Sequence, residues 1–268
     1  MYLTSTSKIK SFHNWYNLGA KYDTKESIIE MIKGTKVFKV SFDLGNLVDS
    51  FITDELTGSE TYMKLTKKLN MELHENGIQN LIEWSTAFKE AHSTFQCQPS
   101  GNVDYRTPLG DISVHYRTDI STLMEVYDIK TGKQAAQAKN YLRDFQGWIY
   151  CDALDVDTMI YVHFIVSHAT NNVRHDKDIR QHRIRKSELV DIITQFVSFC
   201  KKEGIEQYIL PKPVVTMTLS STYDRGNKFK DVTLAKMVST KEGKSYLQWV
   251  RDNVSDIILD EEILTLIK

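Results

Sequence analysis

Two aspartates and a lysine near the middle of the chain have the residue types and the spacing of a catalytic cation site. Asp128 and Lys130 stand two residues apart in the segment MEVYDIKTG, which otherwise has the apolar character of a buried strand, and Asp119 precedes Asp128 by nine residues. Charges within an apolar strand are costly unless they are paired or hold a metal ion. Two carboxylates suit a hard cation such as Mg²⁺ or Mn²⁺, which activates a water molecule and neutralises charge on a phosphate under attack. The lysine would orient that water or stabilise the same charge.

These three side chains meet only in a suitable hairpin register. A tight turn with residues 122 and 123 at its tip places Asp119 opposite Val126, so Asp128 becomes the diagonal neighbour of Asp119 on the same face of the sheet. Lys130 shares this face because side chains alternate along a strand with a period of two. A slip of one residue would separate the aspartates. The alternative interpretation is a surface salt bridge at a strand edge, because short D-x-K motifs also arise by chance.

A polar pair on the next helix could complete such a site. Gln146 and Tyr150 in RDFQGWIYCDAL are four residues apart, so they share one face of a helix. They lie beside an apolar stripe of Leu142, Phe145 and Ile149. This arrangement predicts that both polar side chains point back towards the aspartates.

The elements around these residues indicate a mixed α/β fold. The first third of the chain is mostly helical in its apolar spacing, with a break expected near Gly77, and residues 99–131 have the short β-rich pattern of a three-stranded meander. Helical and strand patterns then alternate. The predicted elements are helices 25–33, 42–56, 59–92, 134–154 and 187–203, a strand at 159–167, and a last helix starting near residue 245.

Composition limits the possible partners and compartments. The chain has 268 residues, 41% of them hydrophobic, and a net charge of -1, so no overall field recruits nucleic acid or an acidic membrane. Its three cysteines form no C-x-x-C motif, and no apolar run reaches the length of a membrane span. We therefore expect a cytoplasmic chain without a membrane partner.

The run from YRTD through DIKTG to Q-G-W-I-Y resembles motifs II, III and IV of the RecB-like branch of the PD-(D/E)XK nucleases, and is most similar to the exonuclease VIII type of phages and prophages. The resemblance implies a restriction-endonuclease-like core within a single domain, 1–268. That domain would comprise a mainly helical part, a catalytic core and a C-terminal extension, at 1–98, 99–203 and 204–268.

The resemblance also implies a role for each motif residue. Asp119, Asp128 and the Ile129 carbonyl would hold Mg²⁺ or Mn²⁺, and Lys130 would be the catalytic lysine. Gln146 and Tyr150 would support the metal and the DNA, and the expected DNA contacts within the motifs are Arg117 and Thr131.

The N-terminal third extends the resemblance more loosely. LTSTSKIKSF is similar to an S-x-S-x-h-x-x-F opening, and FDLGNLVDSFITDEL is similar to a helix that carries G-x-x-H and then acidic residues. Here Val48 occupies the place of the histidine. An acid would then complete the metal shell, and the candidates are Asp49, Asp54 and Glu55. We expect Asp49 to be an ordinary solvated charge and take Glu55 as the ligand.

The activity implied by the resemblance is exonuclease action on linear double-stranded DNA in a phage recombination setting. A single-strand annealing protein and a homo-oligomer are the implied partners, and the compartment is the host cytoplasm if the chain is phage-encoded. Two alternatives remain open at this stage. One is an inactive or weak nuclease-fold protein that binds DNA or assembles with other proteins, motivated by Val48, and the other is an endonuclease of the same fold.

A basic stretch, 168–186, allows two interpretations. As a loop beside the active site it could hold DNA phosphates through Arg180, Arg183 and Arg185, or it could be a solvated connector between a strand and a helix.

Overall fold

The structure is a computed structural model that describes residues 1–20, 23–34, 41–211, 215–223, 229–254 and 257–267. The chain forms two compact units, Met1–Leu210 and Pro211–Lys268. The expected division of one domain into a helical part, a catalytic core and an extension stays a prediction.

The described residues of the first unit include seven helices, of which five make up most of its N-terminal third and two follow later in the chain. They are α1 Thr6–Tyr16, α2 Lys25–Lys33, α3 Ser41–Thr57, α4 Thr61–Leu69, α5 Glu75–Ala91, α6 Phe145–Leu154 and α7 Lys186–Lys202.

Among the described residues of the first unit, eight strands form two sheets. The strands are β1 Tyr2–Ser5, β2 Gln96–Cys97, β3 Ser100–Thr107, β4 Gly110–Arg117, β5 Ile120–Ser121, β6 Glu125–Gly132, β7 Thr158–Ser167 and β8 Asn172–His182. One sheet has the order β1-β4-β3 and the other the order β2-β5-β6-β7-β8, with β6 and β7 parallel and β7 and β8 antiparallel. The parallel pair is joined through α6, as a crossover connection requires. This confirms the predicted mixed α/β class, and the order of hairpin, helix and parallel strand fits a PD-(D/E)XK-like core.

The five-stranded sheet is buried on both faces. On one face Val126, Met159 and Tyr161 belong to a hydrophobic cluster with residues of α1, α6 and α7. On the other face Tyr127 and Ile160 belong to a second cluster with residues of α3, α4 and α5. Burial on both faces is typical of strands in a parallel pair, and it explains the near-continuous apolar sequence of β7.

The meander prediction was wrong in one respect. The strands β3 and β4 form a hairpin in the smaller sheet, whereas β5 and β6 belong to the larger one. The chain changes sheets at Thr118 and Asp119, where the Thr118 N–H donates to the Pro99 carbonyl and the Asp119 carbonyl accepts from Gln98. Asp119 therefore stands at a junction between two sheets and not within a continuous strand.

Two predicted helix boundaries also differ from the structure. The helix predicted at 59–92 is broken between α4 and α5, where Asn70 adopts a left-handed conformation with φ of 49°. Gly77 is instead inside α5, and a Cβ there would lie 2.8 Å from the Val173 backbone nitrogen, so glycine permits close packing on β8. The helix expected at 134–154 begins only at Phe145, because the Asp144 side chain caps it by accepting from the Gln146 N–H at 2.9 Å.

The second unit has its own small core. Its elements are β9 Val215–Met217, β10 Thr222–Tyr223, β11 Val232–Thr233, α8 Leu234–Val238, α9 Lys241–Asn253, β12 Ile257–Leu259 and α10 Glu261–Leu266. The core is apolar and includes Leu234, Leu247 and Ile263, all fully buried. None of the helices in the described parts of the chain is long and apolar enough to cross a membrane.

Candidate active site

A cavity of about 640 Å³ opens beside β6 where its short neighbour β5 ends. The strand β5 pairs with β6 only as far as Tyr127, so the edge of β6 from Asp128 onward carries no β5 residue. Seven of the residues predicted from the motifs line this cavity: Arg117, Asp119, Asp128, Ile129, Lys130, Thr131 and Gln146.

The two predicted metal ligands are closer in register than expected. Ser121 pairs with Val126 and not with Met124, and Ile120 pairs with Tyr127, so this register continued by one residue beyond β5 would set Asp119 opposite Asp128. The turn lies one residue later than predicted, because the Thr122 N–H donates to the Glu125 carbonyl at 2.9 Å and the Thr122 hydroxyl accepts from the Glu125 N–H at 3.1 Å, which leaves residues 123 and 124 at its tip. A shift of two residues keeps every side chain on its face, so the convergence of the aspartates survives the wrong register.

Asp128 lies at the centre of a connected polar network. Its Oδ2 forms an ion pair with the Lys130 ammonium, and its Oδ1 accepts from Gln146 Nε2 at 2.9 Å. The same Gln146 nitrogen lies 2.7 Å from the Tyr150 hydroxyl. The predicted shared face of Gln146 and Tyr150 is therefore directed at Asp128, which is only 2% exposed.

Asp119 and Asp49 retain protons unusually well. Burial raises the pKa of Asp119 well above its ordinary value, and the nearby charges of Asp128 and Asp49 raise it further. Burial, and then the charge of Asp128, raises the pKa of Asp49 to about 6. Burial is the main cause of both raised pKa values, and the neighbouring carboxylate charges add to it.

Lys130 is the counter-charge of this cluster. Burial by itself would lower the pKa of Lys130, but the carboxylates of Asp128 and Asp119 outweigh burial and raise it. Lys130 is therefore an ammonium at neutral pH. The charge of Asp128 helps to raise the pKa of both Asp49 and Asp119 although Lys130 lies nearby, so a cation bound among the three carboxyl groups would favour their ionised forms.

The acid that α3 contributes to the cavity is Asp49 and not Glu55. Glu55 does not line the cavity, and its backbone carbonyl accepts from Lys89. Asp54 caps the next helix by accepting from the Tyr62 N–H at 2.6 Å. Because each residue of a helix turns by about 100°, six residues separate Asp49 and Glu55 by roughly 240° around the axis, and one helix cannot direct both into the same cavity.

The sequence contained a signal for Asp49. Gly45 and Asp49 are four residues apart and both line the cavity, and a Cβ at Gly45 would lie 2.9 Å from Thr131 Oγ1, so glycine lets α3 approach β6. Val48, aligned with the expected histidine, is fully buried among apolar side chains of the same helix. The loss of the histidine therefore does not leave the helix without a polar group at the site.

The donor set fits a hard divalent cation. Asp49 Oδ1 is buried and has no hydrogen-bond partner among the described residues, and it shares the cavity with the carboxylates of Asp119 and Asp128. Oxygen donors with net negative charge are the ligands that Mg²⁺ and Mn²⁺ prefer. In the described parts of the chain, no three His, Cys, Asp or Glu side chains are already grouped round a metal position. A cation must also compete with the Lys130 ammonium for Asp128.

The structure does not bring the three basic residues of the 168–186 stretch to the cavity. Most of this stretch is the edge strand β8, and not a loop. Arg180 pairs with Ile160, and Ile160 pairs with Tyr127 on β6, so these three side chains share one face of the sheet. Asp128 is the next residue after Tyr127 and therefore points to the opposite face from Arg180.

Each of these arginines is already paired with a carboxylate. Arg180 contacts Glu125 at 2.6 Å, Arg183 contacts Asp152 at 2.9 Å, and Arg185 contacts Glu188 at 2.7 Å. Arg180 also lines a separate cavity of about 570 Å³ together with Trp84 and His92. At the site itself, the arginine that lines the cavity is Arg117, which is exposed and donates to Gln98.

No protein-family model matches the chain, and no curated protein matches it in sequence. Among solved structures, it is similar to a phage-related exonuclease from Haemophilus somnus 129PT, with 14% identity, 77% of this chain and 94% of the other covered, and a TM-score of 0.33.

Two further structures have comparable scores. An alkaline exonuclease from Laribacter hongkongensis has 12% identity, and the match covers 63% of this chain and 95% of that enzyme with a TM-score of 0.32. Rai1 from Scheffersomyces stipitis has 10% identity, and the match covers 78% of this chain and 61% of Rai1 with the same TM-score of 0.32. Likenesses of this size carry no argument about activity, which depends on the site itself.

Proposed function

We propose that this chain is a metal-dependent DNA nuclease that hydrolyses phosphodiester bonds. The observation that carries the proposal is the convergence, in one polar cavity, of Asp119, Asp128 and Lys130 with Gln146 and Tyr150 directly behind them. Side chains from three separate motifs meet here, which a chance D-x-K motif would not produce.

Each residue has a role that its contacts support. Asp119 and Asp128, together with Asp49 and the Ile129 carbonyl, would hold Mg²⁺ or Mn²⁺. When bound, such a cation supplies an activated water and neutralises charge on the phosphate.

Three other residues would act around the bound cation. The Lys130 ammonium stabilises charge that develops on the attacked phosphate, Gln146 orients the Asp128 carboxylate, and Arg117 at the cavity contacts the DNA backbone.

Exonuclease action on linear double-stranded DNA is the favoured mode, and it follows from the motif resemblance. An annealing protein as partner, a homo-oligomer and a phage recombination role in the host cytoplasm belong to the same proposal. The alternative, a nuclease-fold protein without activity, was motivated by Val48. Asp49 lines the cavity and weakens that motive, because its carboxylate would take the place of the missing imidazole as a ligand.

The test uses two DNA substrates. Wild-type protein is incubated with a linear duplex and with covalently closed circular plasmid, each with Mn²⁺, with Mg²⁺ and with EDTA, and Asp128→Asn is the matched control. We expect degradation of the linear duplex only, in the presence of either metal. Cleavage of the closed circle would favour the endonuclease, and binding of DNA without any cleavage would favour the inactive alternative.

A further inference from the structure

A second lysine, Lys10 on α1, joins the same network through Gln146, whereas Lys130 joins it through Asp128. Its ammonium lies 2.8 Å from Gln146 Oε1 and 2.6 Å from Asp144 Oδ2. The side chain is 24% exposed and that of Asp144 is 5% exposed, so the pair is largely shielded from water. Lys10 does not itself line the cavity.

This contact fixes the orientation of the Gln146 amide. A lysine ammonium can only donate hydrogen bonds, and an ionised carboxylate can only accept them. Gln146 lies between Lys10 and Asp128, so only one orientation satisfies both neighbours, with Oε1 towards Lys10 and Nε2 towards Asp128. If the amide were reversed, its oxygen would face the Asp128 carboxylate and its NH₂ group would face the ammonium.

We propose that Lys10 is a positioning residue that acts on the metal site through Gln146, an inference that rests on the proposed function. By holding Gln146 Oε1, Lys10 presents the amide N–H to Asp128 Oδ1. The Asp128 carboxylate is thereby held in the rotamer that offers its other oxygen, Oδ2, to a cation. Groups that orient metal ligands in this way typically contribute 10- to 100-fold to metal affinity or activity.

A purely structural role for Lys10 is the competing explanation. Lys10 also pairs with Asp144, the residue that caps α6, so its loss could loosen the packing of α1 on α6 without any effect specific to Gln146. Asp144→Asn separates the two roles. This variant removes the ion pair but retains a capping side chain and leaves the contact between Lys10 and Gln146 in place.

The experiment measures Mn²⁺ binding by electron paramagnetic resonance, which does not require cleavage. We expect Lys10→Met to raise the Kd for Mn²⁺ by about tenfold or more. Lys8→Met, on the same helix but directed at the Tyr208 carbonyl, is the charge-matched control and should leave the Kd unchanged. Asp144→Asn should also leave it near the wild-type value.

A double-mutant cycle tests the route through Gln146. In a Gln146→Leu background, Lys10→Met should have little further effect on Mn²⁺ affinity, because the group it acts through is absent. Lys10→Arg, which keeps a charged donor, should retain more affinity than Lys10→Met and remains informative if the Met variant fails to fold.

Several outcomes would overturn the proposal. They are additive effects of Lys10→Met and Gln146→Leu, an equal loss of Mn²⁺ affinity in Asp144→Asn, and equal losses in the Arg and Met variants. A wild-type protein that binds Mn²⁺ but cuts no DNA would refute the proposed nuclease function and leave the positioning role to be decided by the binding data.

Discussion

Asp119 Oδ2 accepts the backbone N–H of Ile129 at 2.6 Å, so the carboxylate of one predicted metal ligand is held by the residue that follows the other, Asp128. The hydrogen bond uses a backbone donor at the edge of β6 that β5 does not reach. A substitution of Asp128 should therefore remove its oxygens without moving Asp119, whereas a substitution of Asp119 also removes the acceptor of the Ile129 N–H.

Replacement of Asp128 should abolish metal-dependent cleavage. Asp128→Asn has nearly the same shape but lacks the negative charge, so we expect cleavage of linear DNA to fall by at least about 100-fold, beyond the usual effect of changing a group that only orients a ligand. Cleavage rates at saturating Mn²⁺ measure this, and circular dichroism checks the fold. A variant that keeps near-wild-type rates would show that the cavity is not the catalytic site.

Asp49 and Glu55 should differ in their effect on cation binding. Asp49→Asn removes a carboxylate from the cavity and should weaken Mn²⁺ binding by about tenfold or more, whereas Glu55→Gln should have no effect because that side chain lies outside it. Mn²⁺ titration of both variants gives the comparison. If Glu55→Gln weakened Mn²⁺ binding more than Asp49→Asn, Glu55 would be the metal ligand, as expected from the sequence.

Lys130 should act on turnover more than on DNA binding. The ammonium beside Asp128 stabilises charge that develops only during the reaction, so Lys130→Met should lower kcat by about 100-fold or more and change the Kd for DNA little. Single-turnover cleavage and DNA binding in Ca²⁺ or EDTA separate the two quantities. Parallel losses in both would make Lys130 a DNA-binding residue instead.

The stability of the metal-free protein should depend on pH through Asp49. Its pKa is raised from 3.8 to about 6 in the folded chain, so the folded state binds the proton more tightly than the unfolded state. Stability is therefore greatest below about pH 4 and falls as the pH rises through about 6. A tenfold change in proton affinity corresponds to about 1.4 kcal/mol, so Asp49→Asn should gain roughly 3 kcal/mol at pH 7.5 in EDTA. Urea unfolding at pH 4.5 and pH 7.5 tests this, and a wild-type protein with equal stability at both pH values would contradict it.

The basic stretch should contribute little to DNA binding. Because Arg180, Arg183 and Arg185 are paired with carboxylates, replacing all three with Ala should leave the dependence of DNA affinity on salt unchanged. Arg117→Ala should reduce that slope by about one, since each neutralised phosphate releases condensed counterions. Both variants are made in the Asp128→Asn background so that the DNA survives. A weaker dependence of DNA affinity on salt in the triple variant would show that Arg180, Arg183 and Arg185 do bind DNA phosphates.

Local sequence patterns predicted the elements and the motif residues well. A period of two placed Asp128 and Lys130 on one face of β6, and a spacing of four placed Gln146 and Tyr150 on one face of α6. Both relationships depend only on the geometry of a single strand or helix. For this reason they survived an error of two residues in the hairpin register.

Contacts between distant elements were decided only by the tertiary structure. Asp49 and Glu55 are both acidic residues of α3, and the choice between them depended on how that helix packs on β6 at Gly45. Lys10 entered the network because α1 packs on α6. A single sequence without alignment does not contain that pairing.

The basic stretch shows the same limit most clearly. Its composition indicated a solvated or DNA-binding segment, but each arginine met an acidic partner from elsewhere in the chain or from the following helix. Composition determines how many charges a segment carries. Only the fold determines which of those charges are neutralised, because pairing depends on distances of a few ångströms between residues far apart in sequence.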